Sequence, residues 1–369
     1  MNASLYRADL HYPHLQLHTA SSGSVPALES LYLCLRDRGL EGIGEVRINI
    51  AYLNGYSAQQ VLDDVVAALG DWDLARPART LLAALEQDHG HRLAPTRMLL
   101  DMALHDLVAK QVGTSVSGLL SAEPASPVMA HTNQTLFWTS EADFLRQAGD
   151  YVARGFTSLK VRIGIGTLQQ DVDRLRALRS RFGDGVHLAA DANGQWQPDH
   201  AADNLAALAP LRLGYLEQPL APAYDDRLPA LAAQSATPLM LDESVSHEAD
   251  IDRVIALGGR VWAHLKLVKL GGIAPTVRAA RRLRDAGVPF MIGQMNEGAA
   301  ATAAALHVTH LTRPRFAELY GADGLGDDPV SGLRYQHGTV QCLSPLGLGV
   351  TFAAHQATLI QEFSHAKHR

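Results

Sequence analysis

Four polar residues stand at the ends of successive apolar segments that are typical of β-strands. They are Asp191, Glu217, Asp242 and Lys266, and they follow one another at intervals of 26, 25 and 24 residues. One strand, one helix and two short loops account for such an interval. Because the carboxyl ends of parallel strands meet at one edge of a sheet, the spacing predicts that these side chains converge.

Three carboxylates that converge repel one another unless a cation lies between them. Oxygen ligands favour Mg²⁺ over zinc, with Mn²⁺ as the second metal that suits them, and a partial protein shell leaves coordination positions for substrate oxygens. A single acidic residue in such a place commonly caps the following helix and does nothing more. Three acidic residues at the ends of successive strands, with a lysine at the end of the next strand, instead predict a metal site. Its ligands would be Asp191, Glu217 and Asp242.

A lysine beside such a metal site can act as a base. Removal of the proton next to a carboxylate places a second negative charge on the carboxylate oxygens, and a divalent cation stabilises that charge. Burial and nearby cations can lower a lysine pKa from about 10.4 toward roughly 7–8, which leaves part of the amine uncharged at neutral pH. We therefore expect Lys266 to abstract the α-proton of a carboxylate substrate.

Other charged residues lie on the same predicted faces. Lys160 and Arg162 are two residues apart in the segment SLKVRIG, so both side chains point to one side of a strand. The metal and Arg162 are expected to lower the pKa of Lys160, and a salt bridge that stabilises the barrel is the alternative explanation of the pair. His264 shares its face with Lys266 and is assigned to substrate binding, with a packed barrel histidine as the alternative.

Eight short apolar segments, separated by helical ones, position these residues. The predicted strands lie near residues 128–134, 157–163, 186–192, 213–218, 238–242, 261–267, 288–293 and 315–319. Strands that alternate with helices in this way predict a parallel sheet. The number of strands favours a closed α/β barrel, and an open doubly wound sheet is the alternative.

The chain before this repeat has a different pattern. Alternating apolar residues over 31–49 predict two antiparallel strands around an Arg-Gly turn. Three helices follow, at about 58–70, 76–90 and 95–112. In the last of them Asp101, Asp106 and Lys110 are expected to face away from the apolar side. We therefore predict an α+β domain over residues 1–124, a barrel over 125–335 and a segment over 336–369 that returns to the first domain.

Composition and charge limit the classes of function. The 369 residues carry a formal net charge of −6, and Lys and Arg are scattered, which argues against a nucleic-acid partner. The amino end offers no continuous apolar segment, so neither a signal peptide nor a membrane anchor is predicted. Cys34 and Cys342 form no metal or redox motif. We expect a cytoplasmic protein without a membrane partner.

Seven short motifs spread over nearly the whole chain resemble the enolase superfamily, in particular the muconate-lactonizing-enzyme branch of the mandelate racemase and muconate-lactonizing-enzyme family. They are DMALHDLVAKQVG (101–113), SLKVRIG, DANGQW (191–196), EQP (217–219), DES (242–244), KLVKLGG (266–272) and GQMNEG (293–298). The resemblance implies an α/β fold with a modified TIM barrel, (β/α)7β, and an α+β N-terminal capping domain. It also implies a homo-oligomer and a small-molecule carboxylate substrate.

The resemblance also implies roles for individual residues. The metal ligands would be Asp191, Glu217 and Asp242, the acid/base residues Lys266 and Lys160, and the substrate contacts Asn193 and Glu297. Loops near Ser21–Gly23 and Ile50–Asn54 would close over the substrate and help to select it.

One residue departs from the family pattern. Arg162 stands where the resembling racemases have the second lysine of a Lys-x-Lys pair. An arginine stays protonated, so we expect it to clamp a carboxylate, and a racemization with two bases is disfavoured. The leading expectation is therefore a dehydratase that eliminates water from a hydroxy acid or a hydroxy-amino acid such as a hydroxyproline. The alternatives are a racemase or epimerase of amino-acid derivatives or dipeptides, a muconate-type cycloisomerase, and a non-catalytic barrel that binds a small acid.

Overall fold

An antiparallel sheet and a parallel barrel, both flanked by helices, form the two main parts of the protein. The computed structural model describes residues 1–15, 17–19, 21–121 and 127–364. Its strands are β1 (Asn2–Leu10), β2 (Leu17–Thr19), β3 (Gly23–Val25), β4 (Leu28–Asp37), β5 (Leu40–Arg47), β6 (Met129–His131), β7 (Gln134–Leu136), β8 (Ser158–Arg162), β9 (His187–Asp191), β10 (Leu216–Glu217), β11 (Leu239–Leu241), β12 (Val261–Lys266), β13 (Phe290–Gly293), β14 (Phe316–Glu318), β15 (Val330–Ser331), β16 (Leu333–Gln336), β17 (Thr339–Cys342), β18 (Thr351–Phe352) and β19 (Thr358–Ser364). Its α-helices are α1 (Ala51–Asn54), α2 (Ala58–Gly70), α3 (Ala78–His89), α4 (Ala94–Gln111), α5 (Val116–Leu120), α6 (Glu141–Ala153), α7 (Leu168–Phe182), α8 (Ala201–Leu208), α9 (Leu228–Gln234), α10 (Glu248–Leu257), α11 (Leu267–Leu270), α12 (Ile273–Asp285) and α13 (Ala299–Thr312). Short 3₁₀ helices lie at Gly183–Gly185, Pro198–His200, Ala209–Leu211, Pro222–Arg227 and Ala354–Gln356.

The N-terminal sheet has the strand order β19, β1, β4, β5, and all neighbouring strands in it are antiparallel. The predicted hairpin is confirmed as β4 and β5, with Arg38 and Gly39 at positive φ in the turn. The sequence did not predict β1, which lies between β4 and β19. Residues 358–364 thus lie on the first strand of the chain, whereas β17 pairs with β6 beside the barrel. The domain boundaries drawn from the sequence stay a prediction.

Helix α4 packs closely on β5 because two glycines of that strand leave room for it. A Cβ atom on Gly42 would lie 2.4 Å from the carbonyl oxygen of Ala103, and one on Gly44 would lie 2.2 Å from that of Leu99. Any larger residue would therefore push the helix away from the sheet. The predicted positions of α2, α3 and α4 agree with the structure to within two residues.

The expectation that Asp101 and Asp106 face away from the apolar side of α4 was wrong. Both are buried, with 2% and 0% of their surface exposed. Asp106 accepts hydrogen bonds from the backbone N–H groups of Ile43 and Leu348. Helix α4 is covered on more than one side, so its polar residues bind backbone groups of neighbouring segments instead of water.

Within the described part of the chain, eight strands from β7 to β14 form the parallel sheet, each beside the next in sequence. Asn133 N–H donates to the carbonyl oxygen of Ala317, which brings the first strand against the last and closes the barrel. A helix follows each strand from β7 to β13. The predicted modified TIM barrel, (β/α)7β, is confirmed, and the open sheet is not found.

The first barrel strand differs from the prediction. The apolar segment 128–134 divides into β6, which pairs with β17, and the separate barrel strand β7. Thr132 lies between them, and its hydroxyl accepts a hydrogen bond from Leu319 N–H. A change of pairing partner in the middle of a segment leaves no trace in hydrophobic periodicity.

Large side chains fill the barrel below the strand ends. Tyr215, Met240, Trp262 and Met291 form a separate buried cluster with Ala189. Tyr215 and Met240 precede Glu217 and Asp242 by two residues, so they form the next layer down on the same inner face. The barrel is thus solid beneath its mouth.

No helix among the described residues is long and apolar enough to cross a membrane.

Candidate active site

Three carboxylates lie side by side at the carboxyl ends of consecutive barrel strands. Asp191 and Glu217 are paired across β9 and β10, and Asp242 follows β11 directly. All three are buried, with at most 3% of their surface exposed. Glu217, Asp242 and His264 each offer a ligand atom, and these atoms lie within 4.8 Å of one another. Asp191 lies outside that group.

Lys160 lies in the middle of the carboxylates rather than at the surface of the pocket. Its Nζ atom is 2.9 Å from Glu217 Oε2, 2.5 Å from Glu318 Oε2 and 3.5 Å from Asp191 Oδ2. Burial lowers the pKa of Lys160, but Glu217 and Glu318 raise it by more, so the net pKa is well above the ordinary value. The sequence predicted the opposite direction, on the assumption that a metal cation stands beside the amine.

Glu318 is a site residue that the sequence analysis missed. It ends β14, is buried and binds both Lys160 and the side-chain amide of Asn133. Burial raises the pKa of Glu318, but Lys160 and the other cations around it lower that pKa by more, to about 2. A signal was present, because Glu318 follows Lys266 by 52 residues, which is two more units of the strand interval.

Two lysines hold Asp242 from different directions. Lys266 Nζ donates to Asp242 Oδ2 at 2.6 Å, and Lys269 Nζ donates to Asp242 Oδ1 at 2.7 Å. Lys269 also donates to the backbone oxygens of Asp242 and His264, at 2.6 and 3.0 Å. Burial raises the pKa of Asp242, but the two lysines lower it by more, to well below its usual range. Lys269 was not predicted from the sequence.

Arg162 and Asn193 fix the carboxylate of Asp191. Arg162 Nη1 forms a short ion pair with Asp191 Oδ2 and lies 3.3 Å from Asn193 Oδ1. The backbone N–H of Asn193 donates to Asp191 Oδ1 at 2.8 Å. Asn193 has a φ of 46°, a left-handed conformation that asparagine tolerates better than most residues. Arg162 thus pairs with a carboxylate of the protein, and its predicted contact with the substrate stays a prediction.

His264 lies beneath Glu217 inside the barrel. Its Nδ1 atom is 2.9 Å from Glu217 Oε1, and its Nε2 atom is buried without a hydrogen-bond partner. Burial lowers the pKa of His264 well below its ordinary value, and Lys266 lowers it further. The structure therefore places a neutral imidazole in contact with a candidate metal ligand, and not in the wall of the pocket.

A pocket lies above these residues, between the barrel mouth and the N-terminal domain. From the barrel it is lined by Arg162, Asn193, Asp242, Glu243, Lys266, Gln294, Met295, Asn296, Phe137 and Tyr320. From the N-terminal domain it is lined by Leu17, Ser21, Ser22, Val25, Arg47, Tyr52 and Leu53. Both loops that the sequence analysis expected over the substrate contribute to this wall. Among the barrel lysines, Lys266 lines the pocket and Lys160 does not.

Glu297 lies in the loop between β13 and α13, next to the pocket. Its Oε2 atom accepts a hydrogen bond from Met295 N–H, and Met295 Sδ accepts one from Lys266. Burial raises the pKa of Glu297 to about 7, against an opposing effect of Arg47. Glu45 of the N-terminal domain accepts hydrogen bonds from N–H groups at the start of α13 and so holds this loop in place.

The side chains at the barrel mouth fit a magnesium ion. Asp191, Glu217 and Asp242 supply only oxygen donors, which suit a hard cation. The ammonium groups of Lys160 and Lys269 contact carboxylate oxygens of Glu217 and Asp242. Positive charge thus already stabilises these carboxylates at the place where a metal would bind. The site therefore combines an oxygen-rich cation site with a lysine, Lys266, at the floor of a pocket.

Comparisons with known proteins agree with this architecture. Residues 143–356 match the family model described as enolase C-terminal domain-like. A hydrophobic dipeptide epimerase from Roseobacter litoralis is 30% identical over 327 residues, which cover 86% of this chain and 90% of that protein. An L-Lys-D/L-Arg epimerase from Methylococcus capsulatus is 30% identical over 355 residues, with 93% and 96% coverage. An N-succinylamino acid racemase from Thermus thermophilus is 32% identical over 297 residues, with 76% and 75% coverage.

Solved structures show the same fold. A dipeptide epimerase from Methylococcus capsulatus, complexed with Mg and the dipeptide L-Arg-D-Lys, superposes with a TM-score of 0.83 at 27% identity over 95% of this chain and 99% of that one. A muconate lactonizing enzyme superposes with a TM-score of 0.86 at 23% identity over 96% of this chain and 98% of that one.

Proposed function

Because the chain belongs to the enolase C-terminal domain-like family, and so to the enolase superfamily, we propose that it is a magnesium-dependent isomerase that acts on a small carboxylate. In this proposal Lys266 takes the α-proton of the substrate and forms an enolate. The observation that carries the proposal is the position of Lys266, which contacts Asp242 and also lines the pocket. One amine is thereby next to both the candidate metal site and the substrate space.

Asp191, Glu217 and Asp242 are the proposed ligands of Mg²⁺, with Mn²⁺ as a second metal to be tested. The bound metal supplies positive charge for the carboxylate oxygens of the substrate as they become more negative. Other residues of the protein position the three carboxylates. Lys269 and His264 hold Asp242 and Glu217 in position, and Arg162 holds Asp191.

The basicity of Lys266 depends on the charge around Asp242. Burial lowers the pKa of Lys266, but Asp242 and other carboxylates raise it by more, so the amine is protonated in this arrangement. A carboxylate that binds a cation attracts an ammonium group less strongly. Lys266 is thus proposed to become a base only in the metal-loaded protein, which ties proton abstraction to metal binding.

The curated relatives favour a racemase or epimerase of an amino-acid derivative or a dipeptide. These reactions need a proton to be removed from one face of the substrate and returned to the other. Lys266 serves one face. On the other side the pocket presents Arg162, and Lys160 lies behind it against Glu217 and Glu318. We propose Lys160 as the second proton carrier for this reaction, which requires it to leave its carboxylates.

A cycloisomerase is the second candidate, and Arg162 is the observation that favours it. A cycloisomerization moves a bond within one molecule and needs a single acid/base group beside the enolate. Arginine stays protonated and is already bound to Asp191, so it cannot take the part of a base. The dehydratase that the sequence analysis preferred has no support among the relatives, which are isomerases by name.

Exchange of the α-proton with solvent tests the proposal directly. The protein with Mg²⁺ is incubated in D₂O with dipeptides, N-succinylamino acids and muconolactone, and the α-proton signal is followed by NMR together with the configuration of the product. Loss of the signal with inversion identifies a racemase or epimerase. Conversion of the lactone identifies a cycloisomerase. No exchange with any compound of these three classes would argue against the proposal.

Two variants of Lys266 separate its role from a structural one. Lys266→Ala removes the amine, and Lys266→Arg keeps the positive charge beside Asp242 but cannot act as a base. We expect both to lose about 100- to 10,000-fold in exchange rate, the contribution of a positioned general base. Exchange at the wild-type rate in the Arg variant would show that Lys266 is only a counter-charge.

Assembly and location stay proposals as well. We propose a homo-oligomer in the cytoplasm, on the family resemblance alone. Size-exclusion chromatography with light scattering tests the first of these expectations.

A further inference from the structure

Arg47 is a buried cation in the wall of the pocket. It ends β5, is 1% exposed and lines the same pocket as Lys266. Its Nη2 atom is buried and has no hydrogen-bond partner. Arg47 forms no ion pair with a carboxylate of the described residues, although Glu297 is close enough for Arg47 to lower its pKa. A guanidinium N–H group buried without a partner is costly, and a ligand in the pocket that accepts its hydrogen bond would offset that cost.

A second unpaired polar group lies in the same pocket. Both side-chain amide atoms of Gln294 are buried without hydrogen-bond partners, and the residue is 5% exposed. A Cβ atom on Gly321 would lie 1.8 Å from Gln294 Nε2, so the glycine provides the space that this amide occupies. Arg47 and Gln294 both line the pocket, and each has a buried side-chain nitrogen without a hydrogen-bond partner among the described residues.

The guanidinium of Arg47 is held in a fixed orientation. Its Nε atom donates to Asn49 Oδ1 at 2.8 Å, and its Nη1 atom donates to the carbonyl oxygen of Asn296 at 3.3 Å. Asn296 also donates to the hydroxyl of Tyr12, which in turn donates to the carbonyl oxygen of Gly321. This network joins the N-terminal domain to two loops at the barrel mouth. It leaves Nη2 as the donor of Arg47 that remains for a ligand.

We propose that Arg47, assisted by Gln294, binds a second carboxylate of the substrate, distinct from the one beside the carbon that loses its proton. The inference rests on the proposed function and narrows its substrate to dicarboxylic amino-acid derivatives. Arg162 is already paired with Asp191, whereas Arg47 has no carboxylate partner among the described residues. A carboxylate suits Arg47 because hydrogen bonds between charged partners are short and about twice as strong as neutral ones. The second carboxylate lies either on an N-acyl group or on the amino-acid side chain.

Calorimetric titration of the full chain with Mg²⁺ tests the proposal with two matched pairs of compounds. N-succinylglycine and N-butanoylglycine differ only in a carboxylate at the end of the acyl chain. N-acetyl-L-glutamate and N-acetyl-L-norvaline differ in a carboxylate at the end of the side chain. We expect the diacid of at least one pair to bind about 10- to 100-fold more tightly than its partner, as for a buried charge-assisted hydrogen bond. The pair that responds identifies the position of the second carboxylate.

Substitution of Arg47 ties the preference to this residue. In Arg47→Met the diacid and the monoacid should bind within about twofold of each other, and Arg47→Lys should show an intermediate preference. Arg146→Met, at an exposed position on α6, is the matched control and should bind as wild type does. If Arg47→Met does not fold, the inference is tested by Arg47→Lys and by the binding of the two compound pairs to the wild-type protein. Equal binding of diacids and monoacids by the wild type, or a preference that survives in the Arg47 variants, would overturn the inference.

The binding experiment tests the role of Arg47, and the exchange experiment tests the proposed function, so one proposal can be contradicted while the other is supported. A diacid preference without α-proton exchange would leave Arg47 as an anion site and would contradict the proposed function. Exchange that proceeds equally well with monoacids would support the proposed function and contradict the role of Arg47.

Discussion

Asp101 Oδ2, in helix α4 of the N-terminal domain, accepts a hydrogen bond of 2.6 Å from the backbone N–H of Ile273, the first residue of α12. Gly272 makes this approach possible, since a Cβ atom there would lie 2.6 Å from the same carboxylate oxygen. The segment from Lys266 to Gly272 carries both lysines that hold Asp242. A side chain of the N-terminal domain therefore fixes the barrel segment that carries the two lysines bound to Asp242.

We expect Asp101→Ala to destabilise the protein by about 2–3 kcal/mol, the cost of losing a helix cap and a charge-assisted hydrogen bond in a buried place. Unfolding in urea measures this loss. Asp226→Ala, at an exposed position, is the control and should change stability by less than about 0.5 kcal/mol. A similar small effect of Asp101→Ala would show that α12 does not depend on this carboxylate.

Magnesium is expected to raise the melting temperature, and EDTA should reverse the effect. A ligand at 100 times its Kd stabilises the folded state by about 2.7 kcal/mol. Asp242→Asn should abolish most of the increase, because the amide carries no negative charge, whereas Asp226→Asn should leave it intact. Differential scanning calorimetry with Mg²⁺ and with Mn²⁺ gives the comparison. A melting temperature that changes with neither metal would contradict the proposed metal site.

Lys269 is expected to act through Asp242 without touching the substrate. Lys269→Met removes three hydrogen bonds around Asp242 while keeping an apolar chain of similar length. We predict that the variant binds Mg²⁺ about 10- to 100-fold more weakly, as is usual when a partner of a metal ligand is lost. Calorimetric titration with the metal alone measures this change. A folded variant with wild-type affinity would make Lys269 a purely structural residue.

His307 should make stability depend on pH. Burial lowers its pKa to about 4, and its Nδ1 atom accepts a hydrogen bond from Ser117 N–H, which requires a neutral ring. The unfolded chain protonates this histidine near pH 6.5, whereas the folded protein resists protonation until about pH 4. The unfolded state thus binds more protons in this window, so the free energy of unfolding falls as the pH decreases from 6.5 to 4, by about 3 kcal/mol at most.

The variant His307→Gln tests this dependence, because its amide oxygen can accept the same hydrogen bond and does not titrate. Urea unfolding at a series of pH values should give a flatter profile for the variant than for the wild type between pH 4 and 6.5. Parallel profiles would show that the folded and the unfolded protein protonate His307 over the same pH range.

The sequence was sufficient for those site residues whose position depends on a local rule. Asp191, Glu217, Asp242 and Lys266 each end an apolar strand, and strands in a parallel barrel end at one rim, so type and spacing alone placed them together. The same rule, extended by two units, would have added Glu318. The pairing of Arg162 with a carboxylate also followed from its type, since a cation that points into a barrel requires an anion.

Other features depended on contacts between distant segments. Lys269 follows its strand by three residues, and its direction is set by the turn of α11 and not by strand alternation. Asp101 was predicted on a solvent-exposed face because hydrophobic periodicity cannot show that α4 is covered on more than one side. Strand β1 was missed since its partners are β4 and β19, the latter near the other end of the chain. Arg47 became a candidate only when the structure showed its Nη2 atom without a partner.

The solid floor of the barrel determines how molecules reach the candidate site. Among the described residues, Tyr215, Met240 and Trp262 pack together and fill the cylinder below the carboxylates. The pocket borders on the N-terminal domain, with Ser21 and Tyr52 in its wall. We therefore expect a ligand to enter and leave past the N-terminal domain, so that changes in its loops would affect the rates of binding and release.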